Sequence, residues 1–291
     1  MRRVHLALLA VFLIATGAGL YITLSAPIPV EPTAAIEALP PIPETKRTIG
    51  RSVEDRPIEA YTYGTGDKHL LFVGGVHGGY EWNSSLLAYM FIDYLEANEG
   101  MIPAGYSVTV IPAANPDGLF AVIGKEGRFT GADVPEGDHS HGRFNAHGVD
   151  LNRNFDCKWK PTSMWRSKTV SAGSAPFSEP EAQALKALVA EMQPESVVFW
   201  HSQADAVYAS ECEDGVLPET RDIMQAYAKA AGYKAVASFD SYSVTGDSEG
   251  WLASIGVPAI TVELSNHESP EWEKNIAGIE ALFGYYARQP L

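Results

Sequence analysis

The sequence predicts an α/β fold: a single domain with a mixed, mostly parallel central sheet flanked by helices. Short apolar runs alternate with longer helical stretches along the chain, the order that builds parallel sheets. Two of those runs, His69-Leu-Leu-Phe-Val73 and Pro194-Glu-Ser-Val-Val-Phe-Trp200, stay apolar without alternating, as strands covered on both faces do. Residues 46–291 suit one domain with a sizeable core, and no internal repeat divides them.

At the N-terminus, Arg2 and Arg3 precede an apolar stretch from Val4 to Ala26 that contains no acidic residue. It is long enough to span a membrane as a helix with its basic end inside. A cleaved signal peptide is the alternative, since Leu6 to Ile14 suits one and the small Thr16 and Ala18 allow a cut. Both place the remaining chain outside the cytoplasm, and an anchor is the favoured expectation. Residues 27–45, with Pro27, Pro29, Pro32, Pro40, Pro41 and Pro43, read as a stiff linker.

The strand His69–Val73 is broken by Gly74, Gly75, Gly78 and Gly79 into a loop at its C-terminal end, the rim where open α/β sheets gather their ligands. A helix is expected from Ser84 to Ala97 and a strand from Tyr106, closed by the turn residues Asn115-Pro-Asp-Gly118. A second helix spans Ser178 to Met192, with Ser178-Glu-Pro-Glu181 offering a capping box. The strand ending at Trp200 delivers His201 to the same rim. Helices over Glu219–Ala231 and Glu271–Tyr286 bracket a last strand around Thr261-Val-Glu-Leu264.

His77 and Glu81 lie close together on the first loop, and His201 arrives from a distant strand. Two donors from one segment closed by a third from another is how a catalytic zinc site with one open position is commonly built. Each has a plainer reading alone: a histidine after an apolar strand is often a hydrogen-bonded core residue, and an acid near glycines is often solvated. Their convergence carries the argument. Between them, Gly142-Arg-Phe-Asn-Ala-His-Gly-Val-Asp-Leu-Asn-Arg-Asn-Phe155 concentrates two arginines and several amides, and a guanidinium is a rigid fork for a carboxylate or a developing oxyanion.

With these words the chain resembles the zinc metallocarboxypeptidases, which include carboxypeptidases A and B and the bacterial murein-peptide amidases, from about Lys46 to Tyr286. The resemblance implies that His77, Glu81 and His201 bind one zinc ion. It implies that Asn152 and Arg153 hold a substrate's terminal carboxylate, and that Arg143, with Arg128 as competitor, steadies the oxyanion. Tyr242, in Tyr242-Ser-Val-Thr-Gly-Asp-Ser-Glu-Gly-Trp251, falls in the family's mobile-tyrosine segment, and Glu263 takes the place of its general base. Glu249, seven residues after Tyr242, falls where a pocket-floor determinant is expected, and a carboxylate there would favour a basic or diamino C-terminal residue. One departure matters: three residues separate His77 from Glu81 where the family usually shows two, so the loop must absorb one more.

The implied activity is zinc-dependent hydrolysis of a C-terminal peptide or peptide-like amide bond, with peptides or cell-wall peptides as substrates. An acylamino-acid deacylase of the same superfamily and a noncatalytic wall-peptide binder are the alternatives. A serine hydrolase is a weaker rival, in which Gly246-Asp-Ser248-Glu-Gly250 forms a nucleophile elbow followed by Glu263 and His267. Asp138-His139-Ser-His141 reads as a solvated loop. The net charge of −15 leaves no footprint for nucleic acid, so the expected partners are peptides, and the membrane through the N-terminal segment. Cys157 and Cys212 are the chain's two cysteines and are expected to pair outside the cytoplasm.

Overall fold

The computed structural model describes residues 45–289. The anchor or signal read on residues 1–26 and all but the end of the linker read on residues 27–45 lie outside the described residues.

In chain order the elements are β1 (Lys46–Arg51), β2 (Pro57–Tyr63), β3 (Lys68–Val73), α1 (Trp82–Ala97), β4 (Tyr106–Ile111), α2 (Pro116–Ile123), β5 (Thr162–Trp165), β6 (Lys168–Ser171), α3 (Pro180–Met192), β7 (Ser196–Ser202), β8 (Ala206–Ala209), α4 (Pro218–Ala231), β9 (Lys234–Val236), α5 (Ser248–Ser254), β10 (Ala259–Leu264) and α6 (Trp272–Tyr286). Eight strands make one sheet in the order β1-β2-β4-β3-β7-β10-β8-β9, and β5 and β6 pair as a separate hairpin. The central strands β4, β3, β7 and β10 run parallel, while β1, β2 and β8 join by antiparallel pairings. The sheet is mixed, as expected.

Period-two alternation along the central strands divides the core into two layers. Leu70 and Phe72 of β3, with Val198 and Trp200 of β7, pack among side chains of α1, α4 and α6. Leu71 and Val73, with Val197 and Phe199, pack on the other face against α3 and α5. Because α1 follows β3 on one face and α3 precedes β7 on the other, the crossovers diverge between these two strands. A crevice opens there beyond their C-terminal ends.

Two local expectations need correction. Asn115-Pro-Asp-Gly118 is a helix start rather than a plain turn: the Asn115 side chain accepts from Gly118 N at 2.9 Å and Pro116 fills the first position of α2. The same residue types serve turns and caps, so composition alone does not separate them. The capping box at Ser178 does not form; α3 is capped at Glu179 without a side-chain bond. Glu181 is fully buried and turned away, accepting from Val53 N (3.1 Å) and Asn145 Nδ2 (3.2 Å) instead.

Candidate metal centre

The loop after β3 closes into a single 3-10 turn over Gly78–Glu81, and this turn takes up the additional residue between His77 and Glu81. Gly78 has φ +46°, and a Cβ there would lie 2.6 Å from the Gly142 carbonyl oxygen and 2.7 Å from Gly118 C. Only glycine lets these backbones approach so closely. On the opposite side, parallel pairing sets Glu263 of β10 directly against His201 of β7, so both side chains leave the sheet at one level and on one face.

His77, Glu81 and His201 are all buried, and their donor atoms lie within 4.8 Å of one another. Glu81 Oε2 is 2.9 Å from His201 Nδ1, and Glu81 Oε1 is 4.0 Å from His77 Nε2. Donors of a tetrahedral zinc stand roughly 3.3 Å apart, so the set needs only small side-chain adjustments to hold one ion. Glu263 Oε2 is buried without a hydrogen-bond partner, while His77 Nδ1 and His201 Nε2 face the carboxylates of Asp150 (3.5 Å) and Glu249 (3.2 Å). Buried polar atoms are almost always satisfied, so the unpaired Glu263 oxygen beside this donor set marks a place built for something more. Two imidazoles and a carboxylate are the donor chemistry that zinc takes.

Burial and the nearby Arg143 charge hold His77 well below the ordinary histidine range. Burial acts the same way on His201, but Glu81 and Glu249 outweigh it and hold that ring well above. The Glu263 carboxyl is pushed up to about 8, first by burial and then by the Glu81 charge.

Arg143 is nearly inaccessible; its Nε donates to Asp150 Oδ2 at 2.9 Å and its Nη1 stands 3.6 Å from Glu81 Oε1. Its competitor Arg128 pairs with Asp93 on the surface, far from this role. Asp150, unassigned from sequence, also lies 3.5 Å from His77 Nδ1 through its Oδ1, so one carboxylate orients an imidazole and a guanidinium together. Its complete burial was the missing signal, and a sequence does not display burial.

Asn152 and Arg153 stand on the same wall. The Asn152 Oδ1 accepts from Ser248 N and Oγ, both at 2.8 Å, which turns its amide nitrogen toward the cavity. Arg153 donates through Nε and Nη2 to the Met164 carbonyl. Tyr242 is half-buried with its ring against Phe239, at a centroid separation of 4.9 Å. All these residues line one cavity of about 770 Å³, together with Glu249, Tyr80 and Trp165.

Glu249 lines the cavity beside His201. Its Oε1 is 3.2 Å from His201 Nε2 and accepts from Thr261 Oγ1, and its Oε2 accepts from Ser248 Oγ. The serine rival fails on the same geometry: the Ser248 hydroxyl serves Asn152 and Glu249, while His267 Nδ1 contacts Ser202 Oγ. The residues from Asp138 to His141 stay a largely exposed loop, with the His139 ring on the Pro135 carbonyl. Cys157 and Cys212 are joined as a disulfide with Cα atoms 6.1 Å apart.

The zinc carboxypeptidase family model matches residues 34–278, most of the chain. The chain belongs to the zinc carboxypeptidase family. It is 26% identical over 244 residues to γ-D-glutamyl-L-diamino acid endopeptidase 1 of Lysinibacillus sphaericus, covering 76% of this chain and 61% of that protein. It is 31% identical over 147 residues to murein peptide amidase A of Escherichia coli K12, covering 47% of this chain and 57% of that protein. The chain thus spans about three fifths of the length of these curated relatives. Among solved structures, the murein-tripeptide amidase of Escherichia coli O157 superposes with a TM-score of 0.62 at 23% identity, covering 90% of this chain and 98% of that one. The family uses zinc, and the His77, Glu81 and His201 group is the arrangement here that could hold it.

Proposed function

We propose that this zinc carboxypeptidase-family chain hydrolyses a C-terminal peptide or peptide-like amide bond, that its substrates are peptides of the murein type, and that it acts outside the cytoplasm. The observation that carries the reading is the register pair of β7 and β10, which sets a buried Glu263 beside His201 while His77 and Glu81 close the donor set. His77, Glu81 and His201 would hold the ion. Zinc supplies Lewis acidity, polarising a carbonyl and acidifying water.

The remaining work belongs to the chain's own residues. With the ion's charge favouring its ionised form, Glu263 would take a proton from the attacking water and return it to the departing amine, a role served by a carboxylate whose proton affinity burial has raised. Arg143, held by Asp150, points its fork at the developing oxyanion without reorganising. Asn152 and Arg153 grip the terminal carboxylate, and Tyr242 closes over the bound substrate from the opposite wall. The murein assignment is supported by the names of the two relatives above, and the extracytoplasmic assignment by the Cys157–Cys212 pair. An anchor through residues 1–26 completes the reading. Among the described residues, no helix is long and apolar enough to cross a membrane.

A basic or diamino preference rests on Glu249 at the inner end of the cavity, with both oxygens already engaged. If Glu249 sets it, Glu249→Gln lowers the ratio of lysine-ended to leucine-ended turnover; an unchanged ratio removes Glu249 from specificity. The parent reading is tested by loading the protein with zinc and mapping products from a peptide library by mass spectrometry. Release of single C-terminal residues, abolished by chelation and restored by zinc, is expected; stoichiometric zinc without hydrolysis of any peptide or murein fragment overturns it.

A further inference from the structure

The cavity has five basic residues on its walls, and they fall into two groups. Arg143 is paired with Asp150, and Arg153 is tied to the Met164 carbonyl. Lys158, Lys160 and Arg166 also line the cavity, are exposed, and make no hydrogen bond or ion pair among the described residues. Other cations, among them Arg221, Lys229 and Lys234, also lack an ion pair among the described residues, so what sets these three apart is that they share one cavity in a chain with 21 basic and 36 acidic residues. Lys46, Arg47, Lys125, Arg128 and Lys274 all have a carboxylate within 2.8 Å.

Backbone geometry gives a second, independent observation. Lys158 has φ +52° and Arg166 has φ +56°, the left-handed region where glycine or asparagine costs less than a long side chain. Arg166 is the first residue of the two-residue turn between β5 and β6, and with positive φ there but not at Ser167 the position favours glycine. Two cations are therefore kept where local backbone preference opposes them, a pattern expected where the side chain is needed.

The segment that carries them is fixed in place. The disulfide to Cys212 secures Cys157, Trp159 Nε1 donates to the Ala172 carbonyl at 3.1 Å, and Gly246 N donates to the Cys157 carbonyl at 2.7 Å. The Met164 carbonyl that receives Arg153 belongs to β5, immediately before Arg166. The unpaired cations thus extend the same wall that grips the terminal carboxylate, on the side of the residue to be released.

We propose that Lys158, Lys160 and Arg166 form an anion-reading wall that selects substrates whose released residue carries a side-chain carboxylate. The assignment rests on the hydrolase reading above and names a feature of its substrate. An inner amine at Glu249 and an outer carboxylate at this wall are compatible on one side chain, so the two are tested separately. Each cation is exposed and individually weak, but three converging on one carboxylate act together and lose strength with salt.

The test compares two peptides that differ only in a C-terminal Glu or Gln, with the zinc-loaded full-length protein. The wild type is expected to favour the Glu peptide by about tenfold in kcat/KM at low salt, chiefly through KM, and the preference should shrink as ionic strength rises. In Lys158→Asn/Lys160→Gln/Arg166→Asn the ratio should collapse toward one; asparagine tolerates the left-handed backbone, so strain does not confuse the result. An equal ratio in the wild type, an unchanged ratio in the variant, or a preference that follows an acid placed upstream would each overturn the wall. Should neither peptide be cleaved, the hydrolase reading still stands if the library or a murein fragment yields products, and fails by itself if none does. Calorimetric binding of the same two peptides then decides the wall, with the same ratio and collapse expected and equal binding overturning it.

Discussion

Two faces of one segment, residues 143–155, use the same residue types in opposite ways. On the inner face, Asn145 and Asn154 have every polar atom engaged. Asn145 Oδ1 accepts from His147 N and Val149 N while its Nδ2 donates to Glu179 and Glu181. Asn154 Oδ1 accepts from Glu179 N, and its Nδ2 reaches the carbonyls of Ala172 and Ala175. On the cavity face, the Asn152 amide nitrogen has no acceptor among the described residues, and Glu263 keeps a buried oxygen unpaired. The difference teaches where to look for function: satisfied buried groups hold the fold, and unsatisfied ones anticipate a ligand.

Glu263→Gln should sharpen that contrast most. Glutamine copies the shape of the neutral acid but cannot take a proton, so turnover should fall by about 10²- to 10⁴-fold while bound zinc stays unchanged and the melting temperature at pH 7 does not fall. Steady-state rates, metal analysis and calorimetry on one preparation check all three, and a large loss of melting temperature would move Glu263 to the structural side.

Removing the covalent tie behind the cavity comes next. Cys157 and Cys212 close a loop with a sequence separation of 55, so Cys157→Ser/Cys212→Ser should lower unfolding free energy by about 4 kcal/mol in the chain-entropy account. Denaturant titration reads it directly. A loss near zero would mean that noncovalent contacts alone hold Lys158 and the wall beside it.

The two asparagines offer a smaller and more direct comparison. Asn154→Ala abandons buried carbonyls and should cost about 1–3 kcal/mol of stability, with KM for a peptide unchanged in the protein that remains folded. Asn152→Ala should raise KM more than it lowers stability, because its free amide meets the substrate carboxylate. Equal effects of both substitutions in both assays would erase the distinction between the faces.

Much of this was legible in the sequence because the central strands are covered on both faces. β3, β4, β7 and β10 read as apolar runs, and with them came His77, Glu81, His201 and Glu263 at one rim. The edge strands β1 and β9 are largely exposed, and β9 has only three residues, so they leave little hydrophobic pattern to detect. α2 and α5 were hidden by turn-like residues that also cap helices. The contact of Glu249 with His201 depends on how the start of α5 meets β7 and β10, a tertiary relation that no local spacing encodes. The same holds for Asp150, whose two partners come from separate parts of the chain.

The smallest expected effect tests the charge state of the cavity face. In the metal-free protein the folded Glu263 carboxyl titrates at about 8 against an ordinary value of 4.5, so the folded state binds this proton more tightly than the unfolded chain. Its contribution to stability is full below about pH 4.5 and is lost as pH rises toward and through 8. The melting temperature of metal-free wild type should therefore decline across that window relative to Glu263→Gln, which has no such proton to lose. Zinc places two positive charges beside the carboxylate and favours its ionised form, so the decline should shrink in the loaded protein. Parallel melting curves for wild type and Glu263→Gln at every pH, without metal, would show that Glu263 is already ionised and solvated. Its buried, unpaired oxygen would then no longer mark the functional face.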